Sequence, residues 1–194
     1  MGRDGDASSP EVAGARCPFV EQWLAWIDSH VAVEDVRMGR PGAVCPCVPG
    51  VLRTSSMRLV RVGANVTNVI DLVKATGEDF LATLAAGSVR PSIYCVALVF
   101  APGPPPGGLS LSQIHHELKP WFIERGMMLG EFFPGNRKRS VRSADLTPMD
   151  CPVHALVIRA SSEHDLQFIA KDDSYSPAER ASMKQNLREH LARQ

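Results

Sequence analysis

The sequence predicts a single α+β domain with a four- to five-stranded, mostly antiparallel sheet and helices packed mainly on one side. Four short apolar runs have strand-like composition, amphipathic segments separate them, and no glycine-rich phosphate turn follows any predicted strand. A chain of 194 residues can build one real core, whereas two domains would be cramped. We therefore expect one domain over residues 17–194, preceded by a disordered tail at residues 1–16.

The strands are predicted from runs of β-favouring residues. Ser56–Val62 alternates aliphatic side chains with arginines, which is typical of a half-buried strand. Ser92–Ala101 is the most apolar run in the chain and is the expected central strand. Met127–Phe133 and His154–Ala160 complete the predicted sheet.

The helices are predicted from apolar spacing and capping signals. In order they are Pro18–Val31, a segment from Asn65 or Thr67 to Thr76, Glu78–Ala86, a segment that begins at Ser110 or Ser112, Glu163–Ala170, and Ser176–Arg193. Gly77 is expected to break the second segment from the third. Pro120 is expected to be tolerated in the fourth segment as a kink or a change of helix.

Charge and hydropathy exclude several functional classes. Lys+Arg and Asp+Glu each number 21, so the net charge is zero, which argues against a duplex nucleic-acid binder. No run approaches the roughly 18 apolar residues of a membrane span, and the first sixteen residues do not resemble a secretory signal. We therefore predict a cytoplasmic protein whose five cysteines are reduced thiols or ligands.

Two Cys-Pro-x-Val tetrapeptides begin at Cys17 and Cys45. A cysteine before proline is held extended, which often presents its sulfur at a loop. Cys45 or Cys47 is therefore a candidate thiolate ligand to iron, or a zinc ligand together with Cys17. A structural zinc site usually needs a second closely spaced pair, which the sequence lacks, and buried cysteines also serve as plain core residues.

Adjacent histidines lie on the segment expected to form the fourth helix. Their side chains diverge by about 100°, so only one can face the core. His115 shares a stripe with Leu111, Leu118 and Phe122, and it is therefore the inward candidate, whereas His116 faces away. A neutral imidazole on an apolar face can bind haem iron, but a core histidine bonded to the backbone has the same pattern.

Methionines and arginines supply the remaining candidates. Met128 and its neighbours would form an adaptable apolar wall for a planar cofactor, although methionine in strands is more often plain core. Arg139 and Arg142, in a basic loop, are suited to binding carboxylates such as haem propionates or an amino-acid substrate. Such a cluster is more often a solvated surface.

Four blocks of the chain resemble an actinobacterial family of small proteins. They are an arginine-glycine loop with a Cys-Pro tetrapeptide, a Leu-His-x-Glu-Leu-Lys-Pro-like helix, a Gly-x-Met-x-Gly-x-Phe strand, and a Pro-Val-x-x-Leu-x-Ile-Arg strand followed by Asp-Leu-x-Phe. Here they are Gly39–Val48, Ile114–Phe122, Gly126–Phe132, and Pro152–Arg159 with Asp165–Phe168. The chain departs from the pattern at Cys47, where phenylalanine is expected, and at Phe133, where histidine is common.

The same order of blocks is distantly similar to the YqcI/YcgG family, whose characterised members are haem-dependent N-oxygenases of amino-acid or guanidine substrates. The resemblance implies that His115 is the proximal iron ligand. It also implies that Cys45 and Cys47 line the haem pocket, and that Arg139 or Arg142 binds propionates or substrate. The haem would supply the oxygen chemistry, and the protein would supply the ligand and a dry pocket.

The residues and the resemblance together lead to two functional hypotheses. The first is a haem-binding oxidoreductase, a monooxygenase that acts on an amine-bearing or amino-acid-like small metabolite in a biosynthetic pathway. The alternative is a non-catalytic binding or interaction domain with an apolar groove and no metal. The axial ligand stays open among His115, Cys45, Cys47 and His154, and a homodimer is also left open.

Overall fold

The computed structural model describes residues 17–103 and 105–193, so the predicted tail at residues 1–16 lies outside it. The described chain forms a four-stranded sheet flanked by helices. The strands are β1 (Met57–Val62), β2 (Cys95–Phe100), β3 (Met127–Phe132) and β4 (Ala155–Ala160). The helices are α1 (Pro18–Trp26), α2 (Val48–Arg53), α3 (Val69–Ala85), α4 (Leu111–Glu124), α5 (Asp165–Ala170) and α6 (Pro177–Leu191).

The sheet is mixed, with the strand order β1-β2-β4-β3. Strands β1 and β2 are parallel, while β4 is antiparallel to both β2 and β3. The α+β class and the four strands are confirmed. The sheet is less antiparallel than expected because α3 connects β1 to β2 as a crossover, which brings the two strands into parallel alignment.

Helices cover both faces of the sheet rather than mainly one. Helices α3 and α4 pack on the face that carries Val96 and Leu98 of β2, where the largest core cluster lies. Helix α1 places Trp23 and Trp26 on the opposite face, against Ala97 and residues of β4. All six residues of β2 are buried, so both of its faces need a covering layer.

The capping signals at two helices are confirmed. Ser110 caps α4 in a capping box with Gln113, and Ser176 caps α6 in the same way with Glu179. Pro120 lies within α4, which continues to Glu124. Helix α1 continues into a π-helical turn at Ile27–Val31, which leads the chain towards the loop containing Cys45.

The predicted helix break at Gly77 is wrong, since α3 runs through this residue without interruption. Gly77 instead lies where α3 meets α4. A Cβ atom there would lie 2.8 Å from Cε1 of Phe122 and 3.2 Å from Cζ3 of Trp121. The glycine therefore permits a close approach of the two helices, at the usual cost in helix propensity.

We expect Gly77→Ala to lower the free energy of unfolding by about 1–3 kcal/mol, because overpacking against the Phe122 ring outweighs the gain in helix propensity. Urea denaturation measures the change. The same substitution in a Phe122→Leu background is the matched comparison, and its cost there is expected to shrink. A higher stability for Gly77→Ala alone would contradict the packing argument.

Candidate functional site

Cys45 and Cys47 lie in a tight turn on the face of the sheet covered by α1. The backbone N–H of Val48 donates to the carbonyl of Cys45 at 3.2 Å, which closes the turn around Pro46. The N–H of Cys45 donates to the carbonyl of Val31 at 3.1 Å and anchors the turn to the end of the first helical segment. Cys45 is half-buried and Cys47 is exposed, so the pair is accessible from solvent.

A fixed arginine lies beside this turn. Arg159, near the end of β4, pairs with Cys95 of β2, so both side chains point to the same face of the sheet. Its Nη1 and Nη2 atoms donate to the two carboxylate oxygens of Asp165 at 2.9 and 2.5 Å. Asp165 is fully buried and also accepts the backbone N–H of Ser162 at 2.7 Å. The guanidinium is therefore held in one orientation.

These neighbours separate the acidities of the thiols. A hydrogen bond from the Cys47 thiol lowers the pKa of Cys45 to about 6, and the charge of Arg159 and the N–H groups of Cys47 and Val48 act in the same direction against burial. The same bond raises the pKa of Cys47, because it favours the protonated donor. Burial raises the pKa of Cys95 to about 12. Of the three thiols, Cys45 is therefore the one whose thiolate is favoured.

The predicted site residues divide between the two faces of the sheet. Cys45 and Cys47 form the pair just described, and Arg139 and Arg142 are exposed in the loop that follows β3. Met128 lies opposite Arg159 on the same face, but it is buried in a small apolar cluster with residues of α5 and α6. His115 lies on the opposite face, between α4 and β3.

The inward orientation of His115 is confirmed, and its ring is held by the main chain. Nε2 lies 3.0 Å from the carbonyl of Leu129, and a carbonyl only accepts, so Nε2 carries the proton. Nδ1 faces Oε1 of the buried Glu131 at 3.7 Å. Burial lowers the pKa of His115 to about 4, so the ring is neutral at neutral pH. Nε2 is committed to the carbonyl of Leu129 and Nδ1 faces Glu131, which argues against His115 as the axial ligand; that role stays a prediction.

Glu131 completes a buried charged cluster around this histidine. It is 1% exposed, and Oε1 lies 2.5 Å from Nζ of Lys138 in an ion pair. Within the described chain neither carboxylate oxygen has a well-aligned hydrogen bond. A second pair, Lys119 with Asp172 at 2.6 Å, lies nearby. The ion pair between Lys138 and Glu131 connects the basic loop after β3 to β3 itself, which is an edge strand of the sheet, so these charges have a structural role.

His154, the remaining axial-ligand candidate, lines a different feature. With Phe133, Leu109 and Ser112 it borders a cavity of about 340 Å³ at the start of α4. Burial lowers the pKa of His154. Neither Cys45 nor Arg159 contributes to the lining, so this cavity is separate from the thiol site.

Arg159, Asp165 and Cys95 were missed by the sequence analysis. Their proximity depends on the register between β2 and β4, which no local pattern reveals. The available signal was an arginine in an otherwise apolar strand, six residues before an aspartate. Among residues 17–103 and 105–193, no group of three or more His, Cys, Asp or Glu side chains is arranged to hold a metal ion.

The fold and the site define an α+β protein with two cysteines in one tight turn beside an ion pair between the partly exposed Arg159 and the buried Asp165. The family model for a domain of unknown function, DUF6875, matches residues 20–194, and the chain belongs to this family. Comparisons with curated proteins and with solved structures found no match. No helix in the described part of the chain has the length and apolar character needed to cross a membrane.

Proposed function

We propose that the protein is a thiol-dependent oxidoreductase in which Cys45 and Cys47 alternate between a dithiol and a disulfide. The observation that carries the proposal is the tight turn that holds the half-buried Cys45 and the exposed Cys47 two residues apart, near the guanidinium that Asp165 keeps in place. Both sulfurs lie within one turn, and one of them is exposed. The cytoplasmic location predicted from the sequence fits this proposal, since a reducing compartment returns such a pair to the dithiol.

The chemistry takes place in two exchange steps. The Cys45 thiolate attacks a substrate disulfide, forms a mixed disulfide and releases one substrate thiolate. The Cys47 thiol then loses its proton, and its sulfur attacks the sulfur of Cys45 and releases the second substrate thiolate. The substrate disulfide is reduced to two thiols by two electrons, and the cysteine pair is oxidised to a disulfide.

The local structure favours each step. A thiol with a pKa near ambient pH combines a large thiolate fraction with good nucleophilicity. Arg159 stabilises negative charge on the sulfur of Cys45. The ion pair with Asp165 keeps the guanidinium of Arg159 in this position. Pro46 fixes one backbone angle between the cysteines, which reduces the entropy lost when the two sulfurs join.

Alkylation of Cys45 by iodoacetamide, followed by peptide mass spectrometry from pH 4 to 9, tests the proposal. We expect a midpoint near pH 6 for the wild-type protein, in line with its lowered pKa. In Cys47→Ala the midpoint is expected to rise by more than one unit, because the sulfur loses its strongest hydrogen bond. Mild oxidation of the wild-type protein should remove two hydrogens and link the two cysteines.

Cys17→Ala is the matched control, since Cys17 is a buried thiol at the start of α1. It is expected to leave the Cys45 midpoint unchanged. A wild-type midpoint above pH 8, or an oxidised protein in which Cys45 and Cys47 do not pair, would overturn the proposal.

The haem-dependent oxygenase implied by the YqcI/YcgG resemblance stays a second proposal, with Cys45 as the ligand. A half-buried thiol with a lowered pKa suits iron ligation, and Arg159 suits a propionate. Bound haem would supply oxygen activation. Titration with haemin tests this proposal: a Soret band lost in Cys45→Ser but kept in His115→Gln supports it, and an unchanged haemin spectrum with wild-type protein refutes it.

A further inference from the structure

We infer that the disulfide substrate of Cys45 is a small molecule bearing carboxylates, held by the arginine-rich segment 137–142. The inference rests on the proposed thiol chemistry and adds the chemical class of its substrate. Two observations support it: segment 137–142 contacts elements on both sides of the site, and three of its arginines have no carboxylate partner among the described residues.

Segment 137–142 and the residues that follow it are attached to the loop before Cys45. Ser140 Oγ donates to the sulfur of Met38 at 3.4 Å, and Arg37 Nη1 donates to the carbonyl of Asp145 at 3.1 Å. Met38 and Leu146 also form a small apolar cluster with Val44, the residue directly before Cys45. The basic segment is therefore packed beside the cysteine turn.

The same segment is also attached on the Arg159 side of the site. Lys171, which directly follows α5, donates from Nζ to the carbonyl of Val141 at 2.8 Å. Helix α5 begins at Asp165, the residue that holds Arg159. Segment 137–142 thus bridges the two elements that present Cys45 and Arg159, and it forms a rim to the site.

The rim has positive charges that the described residues do not neutralise. Arg137, Arg139 and Arg142 are exposed, and within the described chain no carboxylate forms an ion pair with them. Lys138 and Arg37, by contrast, are paired with Glu131 and Asp35. The whole chain is neutral, so the positive field is a local property of this rim.

Arginine side chains with this freedom match carboxylates in a bidentate geometry and attract anions before contact. Cys45 is only partly exposed, which favours a small, flexible substrate over a flat protein surface. A low-molecular-weight disulfide with carboxylates on both arms satisfies both conditions. Its carboxylates would lie on the rim while its sulfurs reach Cys45.

Stopped-flow oxidation of the reduced full-length protein tests the inference with three disulfides of different charge. Oxidised glutathione bears carboxylates, 2-hydroxyethyl disulfide is neutral and cystamine is cationic. We expect the rate constants to fall in that order at low salt, after correction for their intrinsic exchange rates. The preference for glutathione disulfide over the neutral reagent should drop about tenfold in the triple variant Arg137→Gln/Arg139→Gln/Arg142→Gln.

Arg188→Gln, an exposed arginine on α6, is the control and is expected to leave the preference unchanged. Equal corrected rates with all three disulfides, or a triple variant with the wild-type preference, would overturn the inference and leave the thiol chemistry intact. Failure of the cysteine pair to react with any of the three would instead overturn the proposed function.

Discussion

Asp165→Asn is expected to lower the free energy of unfolding by about 3 kcal/mol. Asp165 is fully buried and accepts both guanidinium donors of Arg159, together with the N–H and hydroxyl of Ser162. An amide has the same shape but no charge, and its NH2 group would face donors. Arg159 would then keep its charge without a counter-ion in a largely buried position, which is the costly case for a broken ion pair. Urea denaturation at pH 7 measures the loss.

Two further variants separate two contributions to the free energy of unfolding: the cost of leaving Arg159 without a counter-ion, and the net stabilisation by the Arg159–Asp165 ion pair. The double variant Arg159→Leu/Asp165→Leu removes both charges and is expected to regain much of the lost stability. Asp173→Asn breaks an ion pair at a carboxylate that is 97% exposed, and its effect should stay within about 0.5 kcal/mol. A loss below about 1 kcal/mol for Asp165→Asn would mean that the Arg159–Asp165 ion pair is not required for the stability of this region.

The strands could be predicted because their signal is local. Each predicted strand overlaps an observed one, and the largest error is three residues at the start of β2, where a short 3-10 turn at Pro91–Ile93 precedes the strand. The helix caps at Ser110 and Ser176 were equally local. Gly77 was misjudged because its reason, a ring on another helix, is not visible along the chain.

The candidate site could be predicted only in part, for the same reason. The Cys45-Pro46-Cys47 turn is recognisable from its proline, and the inward orientation of His115 is recognisable from its helical spacing to apolar residues. The largest cause of the lowered pKa of Cys45 is its neighbour Cys47, but Arg159, which acts in the same direction, lies more than a hundred residues away along the chain, on a strand placed by its pairing with β2. Grouping His115 with the cysteines required both to share one face of the sheet, and the register of β3 and β4 places them on opposite faces.

Stability should fall as the pH drops from 6.5 to 4, because of His115. In the unfolded chain its pKa has the ordinary value of 6.5, whereas burial lowers it to about 4 in the fold, against the opposing charge of Glu131. Between pH 6.5 and 4 the unfolded state therefore binds a proton at His115 that the folded state does not bind. The contribution of His115 is fully present above pH 6.5 and is lost at up to about 1.4 kcal/mol per unit below it, about 3 kcal/mol by pH 4.

Urea denaturation of wild-type protein and His115→Gln at pH 7.5, 6.5, 5.5 and 4.5 isolates this effect. Glutamine can still donate to the carbonyl of Leu129 but does not titrate, and the carboxylates other than Glu131 contribute equally to both proteins. The variant's stability should therefore depend less steeply on pH below 6.5. His154→Gln is the matched control, and since His154 is only half-buried its curve should stay closer to that of the wild-type protein. Parallel curves for wild type and His115→Gln would mean that the ring takes up its proton without leaving its place between Leu129 and Glu131.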